Sequence, residues 1–265
     1  NFNSDEINMV APYGIIADVC AVAIGGVLGG LLKKVLPKRI IESLFIVTAF
    51  AAFGIGIVST IKLSSLTVVM VSVILGCVIG ELCYIETGIQ KLIGFTVGKL
   101  NKKKVALLDT LSEEERQKAQ EELKLKIELL GLAMAIICFS GTGFFGALNE
   151  GLDGDHSILL AKSVLDFFTV LVIAAQIGYF VTLFSIPQAV IFLICFFLAT
   201  LISPILTPDA IANFKSVGGV LTLVIGYNML ASQVGLKKVR VLNLTPAFIL
   251  VLFFSWLVTL LPFAI

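Results

Sequence analysis

The sequence predicts an all-α fold, a polytopic transmembrane helix bundle of about eight spans, and three observations carry that prediction. Hydrophobic residues make up 58% of the 265-residue chain, charged residues only 14%, and the mean hydropathy is +1.06. A water-soluble domain runs near half apolar and about a quarter charged. The apolar residues also fall in runs that reach the ~20 residues a helix needs to cross the hydrocarbon. These runs are near-continuous and lack the period-two alternation of β-barrel strands.

Eight runs meet the length requirement: 12–33, 41–61, 66–85, 128–148, 158–183, 187–206, 215–234 and 243–263. Residues 1–11 read as a polar tail and 12–265 as one integral membrane domain. The opening NFNSDEIN is acidic where the leading region of a secretory signal would be basic, so no cleavable signal is expected. Met9 offers a start of its own, and the residues before it are left out of the fold reasoning.

Span one carries Asp18 and the run Gly25, Gly26, Gly29 and Gly30, which suits a helix-packing face. Asp18 reads as a second intramembrane site beside the main one. Span two follows the turn at Pro37, and span three ends near Glu81 and Glu86, which read as interfacial. Between spans three and four lies a charged helix, at about 101–127. Its stretch LSEEERQKAQEELKLKIELL has a Ser112–Glu115 capping box and the pairs Glu114/Lys118 and Glu122/Lys126 at i,i+4. It reads as a solvated cytoplasmic connector.

Span four ends in FSGTGFFGALNEGLDGD, residues 139–155, which holds five glycines and three carboxylates. Gly141, Gly143 and Gly146 are spaced for close backbone approach or for unwinding. A helix broken within lipid exposes N–H and C=O groups that only protein or a water-filled cavity can satisfy. The expected ligand groups there are the Ser140 and Thr142 hydroxyls, the Gly141 and Gly143 backbone, the Asn149 amide and the Glu150 carboxylate. The alternative is a small-residue interface followed by an external turn. If one segment at this break is a re-entrant half-helix, seven crossings remain.

Span five sets Lys162 and Asp166 four residues apart, on one helical face. Each ionisable group in the hydrocarbon costs roughly 2.5–3.5 kcal/mol even on insertion scales, so such groups face a partner or a water path. A proton or cation site is the functional reading; a locally neutralised pair with a snorkelling lysine is the structural one. Span seven opens with Asn213, Lys215 and Ser216 ahead of two glycines, a further candidate site. The one histidine, His156, falls in an external loop. The five cysteines lack the paired spacing of a zinc or redox site and read as packing residues.

Sixteen of the nineteen basic residues fall in the loops after spans one, three and seven, the remainder being Lys62, Lys162 and Lys215. Lysine and arginine accumulate in cytoplasmic loops, so both termini are expected outside. The segments around Pro37 and Pro208, LLKKVLPKRIIESLFIVTAFAAFGIGI and LISPILTPDAIANFKSVGGVLTLVIGY, share a pattern of span, proline turn and span. If spans one to three repeat as six to eight, the odd offset makes the repeat inverted, as in many secondary transporters.

The run CFSGTGFFGALNEGLDGDHSILLAKSVLDFF, the SIP at 185–187, TPDAIANFKSVGG at 207–219 and GGVLGGLLKKVLPKRI at 25–40 together resemble the YqgA/YdfK-type family of bacterial inner-membrane proteins, a family of unknown function. The resemblance covers nearly the whole chain from about Tyr13. It implies a bacterial cytoplasmic membrane location and supplies no substrate. Asp18 departs from the family pattern, where asparagine is more usual, and is not carried over as a site residue.

There is no H-E-x-x-H pair and no G-x-S-x-G elbow, so metalloprotease and serine-hydrolase chemistry lack their parts. No catalytic residue, metal or cofactor is expected, and nothing points to nucleic acid. The expected partners are a small solute or ion and the lipid bilayer. The leading reading is a transporter, with protons or sodium as the candidate coupling ions. A channel with its pore on a homo-oligomer axis and a structural or regulatory membrane protein are the alternatives.

Overall fold

A computed structural model describes residues 11–260 except 34, 36, 62, 101–112 and 203–206. Among the described residues the secondary structure is helical throughout. The α-helices are α1 (Tyr13–Leu32), α2 (Lys38–Ile61), α3 (Leu66–Leu82), α4 (Ile85–Leu100), α5 (Glu113–Cys138), α6 (Gly141–Asp153), α7 (Ser157–Ile177), α8 (Ser185–Ile202), α9 (Pro208–Val234) and α10 (Ala247–Leu260). Two 3-10 segments, Tyr179–Phe184 and Val241–Leu244, lead into α8 and α10.

Among the described residues seven segments are long and apolar enough to cross a membrane, with Glu114–Leu152 counted as one. An eighth crossing arises if α3 and the first part of α4, bent by 51° relative to each other, form one broken span. The expectation of about eight spans stands. The boundaries differ at three places. The third span does not run straight to residue 85: α3 stops at Leu82, and Tyr84 turns the chain with a φ of 52°. The charged connector from Glu113 and the first part of the fourth span are a single helix, α5, and the rest of that span is α6 beyond a break at Phe139 and Ser140; residues 101–112 of the connector, with Ser112 of the capping box, lie outside the described residues. The fifth span ends at Ile177 instead of continuing to 183, since Gly178, with φ of 90°, breaks the chain into the 3-10 segment.

The bundle is assembled by backbone-close contacts at glycines, as expected where lipid gives no hydrophobic drive for helices to associate. A methyl group at Gly25 would stand 2.7 Å from the Phe167 carbonyl oxygen, and one at Gly29 would collide with the Leu171 carbonyl. These contacts, with Gly14 against Leu159, run α1 alongside α7 in the same direction. Gly56 against Gly219 and Gly226 against Ala49 pair α2 with α9 in opposite directions, and Gly76 against Ala247 does the same for α3 and α10. Those directions are the ones eight alternating crossings would have.

Candidate functional site

The glycine-rich stretch is not unwound. Residues 141–153 form α6, and the interruption falls just before it, at Phe139 and Ser140. The Ser140 hydroxyl oxygen caps α6 by accepting from the Gly143 N–H at 3.2 Å, and Thr142 donates its hydroxyl to the same oxygen at 3.4 Å. Gly141 opens the helix. Glycine is a poor helix former by ~1 kcal/mol, but tertiary contact requires it here: a methyl at Gly143 would strike the Phe192 ring and lie 3.0 Å from Cε of Lys162.

A change of helix type lies against this interruption. The segment from Tyr179 to Ala199 is 3-10 helix up to Phe184 and continues without a break as α-helix from Ser185. The Cys138 thiol donates to the Phe184 carbonyl there at 3.8 Å.

Beside this junction four polar side chains from three helices meet. Lys162 of α7 donates to Asp18 of α1 at 3.1 Å and forms a closer ion pair with Asp166 one turn on. Gln188 of α8 donates its amide to Asp18 Oδ2 at 2.8 Å and lies 3.5 Å from Asp166 Oδ2. All four are at most 2% exposed. Asp166 is the tenth residue of the 21 in α7, about halfway through the span. The Phe192 ring lies 5.3 Å from the lysine nitrogen, so a cation–π contact covers the side that the carboxylates leave open.

Two carboxylates with one ammonium leave a single excess negative charge if all three are ionised. Burial of uncompensated charge is expensive, by several kcal/mol per ion even after relaxation. The fully ionised form is therefore a costly state for the cluster.

The structure thus brings together Lys162, Asp166 and the Gly143 end of α6, and adds Asp18 and Gln188. Asp18 was read as separate, because nothing in the sequence shows α1 lying against α7. Gln188 was missed; its one signal is an amide inside the apolar run SIPQAVIFLICFFLATLI.

The other sequence candidates lie in contacts of their own. Glu150 is fully buried, and its carboxylate caps the start of α1 by accepting from the Gly14 and Ile15 N–H groups at 2.6 and 3.1 Å. Asn149 donates to Asp155 at 3.2 Å. Asn213 accepts from the Ser64 and Ser65 N–H groups at 3.1 and 2.8 Å and donates to Ser255 at 3.2 Å, which fixes the turn from α2 to α3. Ser216 donates to the Ala212 carbonyl at 2.9 Å, and Lys215 sits 5.0 Å from the centre of the Phe145 ring.

A separate cavity of about 310 Å³ opens between α4, α5 and the chain after α9. It is lined by Glu86, Gln90, Asn228, Lys238 and Arg240 among others, and shares no residue with the buried cluster. Glu86 there accepts from the Leu242 N–H at 3.2 Å and from Gln90 at 3.1 Å.

Long apolar helices joined at glycine contacts, with an ionisable cluster sealed among them, define a multi-pass membrane protein. The chain belongs to the family described as "Protein of unknown function (DUF554)", whose model matches residues 13–256. It is 38% identical over 237 residues to "Uncharacterized protein YqgA" of Escherichia coli (strain K12), covering 89% of this chain and 93% of that protein. It is 25% identical over 247 residues to "Uncharacterized membrane protein YdfK" of Bacillus subtilis (strain 168), covering 90% and 93%. No solved structure matches the chain.

Proposed function

We propose that this protein is a secondary transporter of a small solute or ion, driven by a cation that binds the cluster of Asp18, Lys162, Asp166 and Gln188. One observation carries the reading: two carboxylates and one ammonium lie fully buried, about halfway along a span, beside the break between α5 and α6. Discontinuous helices at the midplane are how many secondary transporters build their sites, because the freed helix ends supply dipoles and polar backbone.

A closed site favours a transporter over a channel. The ammonium is pinned between both carboxylates and covered by Phe192, so an ion passing here must exchange stepwise. No catalytic role is assigned to any residue.

The location that fits is the bacterial cytoplasmic membrane, with both termini outside. The basic segments gather at one end of the bundle: Lys126 lies 4.1 Å from the Phe180 ring centre, next to Tyr179, which packs on Gly30, and Arg240 pairs with Glu81 at 2.7 Å.

The test uses proteoliposomes given a defined mixture of amino acids, carboxylates and sugars outside. Accumulated solutes are read by mass spectrometry under an inward proton or sodium gradient. The expected result is gradient-dependent accumulation of one solute class, lost in Asp166→Asn. No accumulation under either gradient, together with unitary conductance in planar bilayers, would overturn the transporter in favour of a channel.

A further inference from the structure

The cluster contains two orphaned acceptors. Asp18 Oδ1 and Gln188 Oε1 are both buried and have no hydrogen-bond partner, whereas most buried polar atoms have one. They belong to two residues already joined by a bond from Gln188 Nε2 to Asp18 Oδ2 at 2.8 Å. A carboxylic acid and a primary amide form a cyclic pair through two bonds. In one, the amide N–H donates to an acid oxygen, and in the other the acid O–H donates to the amide oxygen. The first bond is present. The two atoms of the second are the two left without partners, and what they lack is a proton.

We infer that Asp18 is the proton-binding residue of this protein, and that the structure shows its loaded state, with the proton on Oδ1 shared with Gln188 Oε1. This rests on the transporter reading only in calling the proton the driving ion; the protonation itself stands on the cluster. The partnerless oxygen assigns the proton to Asp18 over Asp166, since Asp18 carries such a buried atom and Asp166 none. With Asp18 neutral, Lys162 and Asp166 form a balanced pair and the excess charge vanishes.

The groups facing Asp18 are Lys162 and Asp166 from α7, Gln188 from α8 and Cys138 at the end of α5, and one turn away Glu150 of α6 caps the start of α1. None of the carboxylates among them offers Oδ1 a donor. Loss of the proton leaves the Asp18 and Gln188 oxygens facing each other as acceptors and restores the excess negative charge. The Gln188 contact is then the one that must break, which links proton release to the position of α8.

The test is infrared spectroscopy of the lipid-reconstituted protein near neutral pH, reading the C=O stretch of a protonated carboxylic acid. A band is expected in the wild type that disappears in Asp18→Asn, a change that keeps the cyclic pair with an amide in place of the acid. In Gln188→Leu the band should shift to higher frequency, as the acid loses its partner. Carboxyl chemical shifts of 13C-aspartate in the unaltered protein provide a reading independent of any variant, with one aspartate expected at the protonated position. A wild type with no band removed by Asp18→Asn and all aspartates ionised overturns the assignment. So does a band that sodium abolishes, since the two oxygens would then hold a metal cation. Because the measurement detects a bound proton whatever is carried, a silent transport assay beside a clear Asp18 band would count against the transporter alone.

Discussion

Cys138 and Phe184 join the break before α6 to the change of helix type ahead of α8: the thiol at the end of α5 donates to the carbonyl that closes the 3-10 segment, at 3.8 Å. Cys138 is completely buried there. Cys138→Ser keeps a donor and should change little, whereas Cys138→Leu adds volume to a filled contact and should cost about 1–3 kcal/mol. Thermal unfolding in mild detergent, read by tryptophan or dye fluorescence, measures the difference.

Lys162→Met removes the one cation from the cluster and leaves two carboxylates sealed together. Stability should fall by about 3–5 kcal/mol, as for other buried pairs that lose one partner. The triple change Lys162→Met, Asp166→Leu, Asp18→Asn removes the charges as a set and should recover most of that loss. Equal instability of the single and triple variants in detergent unfolding would sink the charge-balance account.

Glu150→Gln should act on folding. The carboxylate neutralises the positive end of the α1 dipole while accepting from two N–H groups, and the amide keeps only one acceptor oxygen. A loss of about 1–2 kcal/mol is expected. Hydrogen exchange should show it as faster opening of the first turn of α1.

Gly29→Ala is expected to force α1 away from α7, because the added methyl would collide with the Leu171 carbonyl and approach Ala174. The expected cost is again about 1–3 kcal/mol. A cysteine pair placed across the two helices should then cross-link more slowly than in the parent.

Asp155 lies in the loop between α6 and α7, where the Ser157 hydroxyl and backbone N–H hold its carboxyl below the ordinary value of 3.8. A lowered folded value means the unfolded chain binds the proton more readily, so the stabilisation is fully present above the ordinary value. It fades as pH falls through the folded value. The stability gap between wild type and Asp155→Asn should therefore be largest near neutral pH and close in acid, as unfolding scans across that range would show.

Much of this was legible in the chain. The apolar runs gave the bundle, and the four-residue spacing of Lys162 and Asp166 gave half of the cluster, because both depend on local periodicity alone. The glycine-rich stretch misled in its conformation. Five glycines argue against a helix by propensity, yet α6 forms because Ser140 caps it and its glycines accept Phe192, Leu159 and the Phe196 carbonyl at close range. The other half of the cluster was illegible for a similar reason. Asp18 and Gln188 are 170 residues apart, and only the packing of α1, α7 and α8 brings them together.

The glycine contacts between α1 and α7 set which parts of the cluster can travel. Backbones that touch at Gly25 and Gly29 cannot slide without collision, so Asp18, Lys162 and Asp166 ride on one stiff two-helix beam. Gln188 stands on the opposite bank, on α8, which α6 grips through Gly143 and Gly151. A shift of α6 and α8 together against that beam is the motion that would part the amide from Asp18.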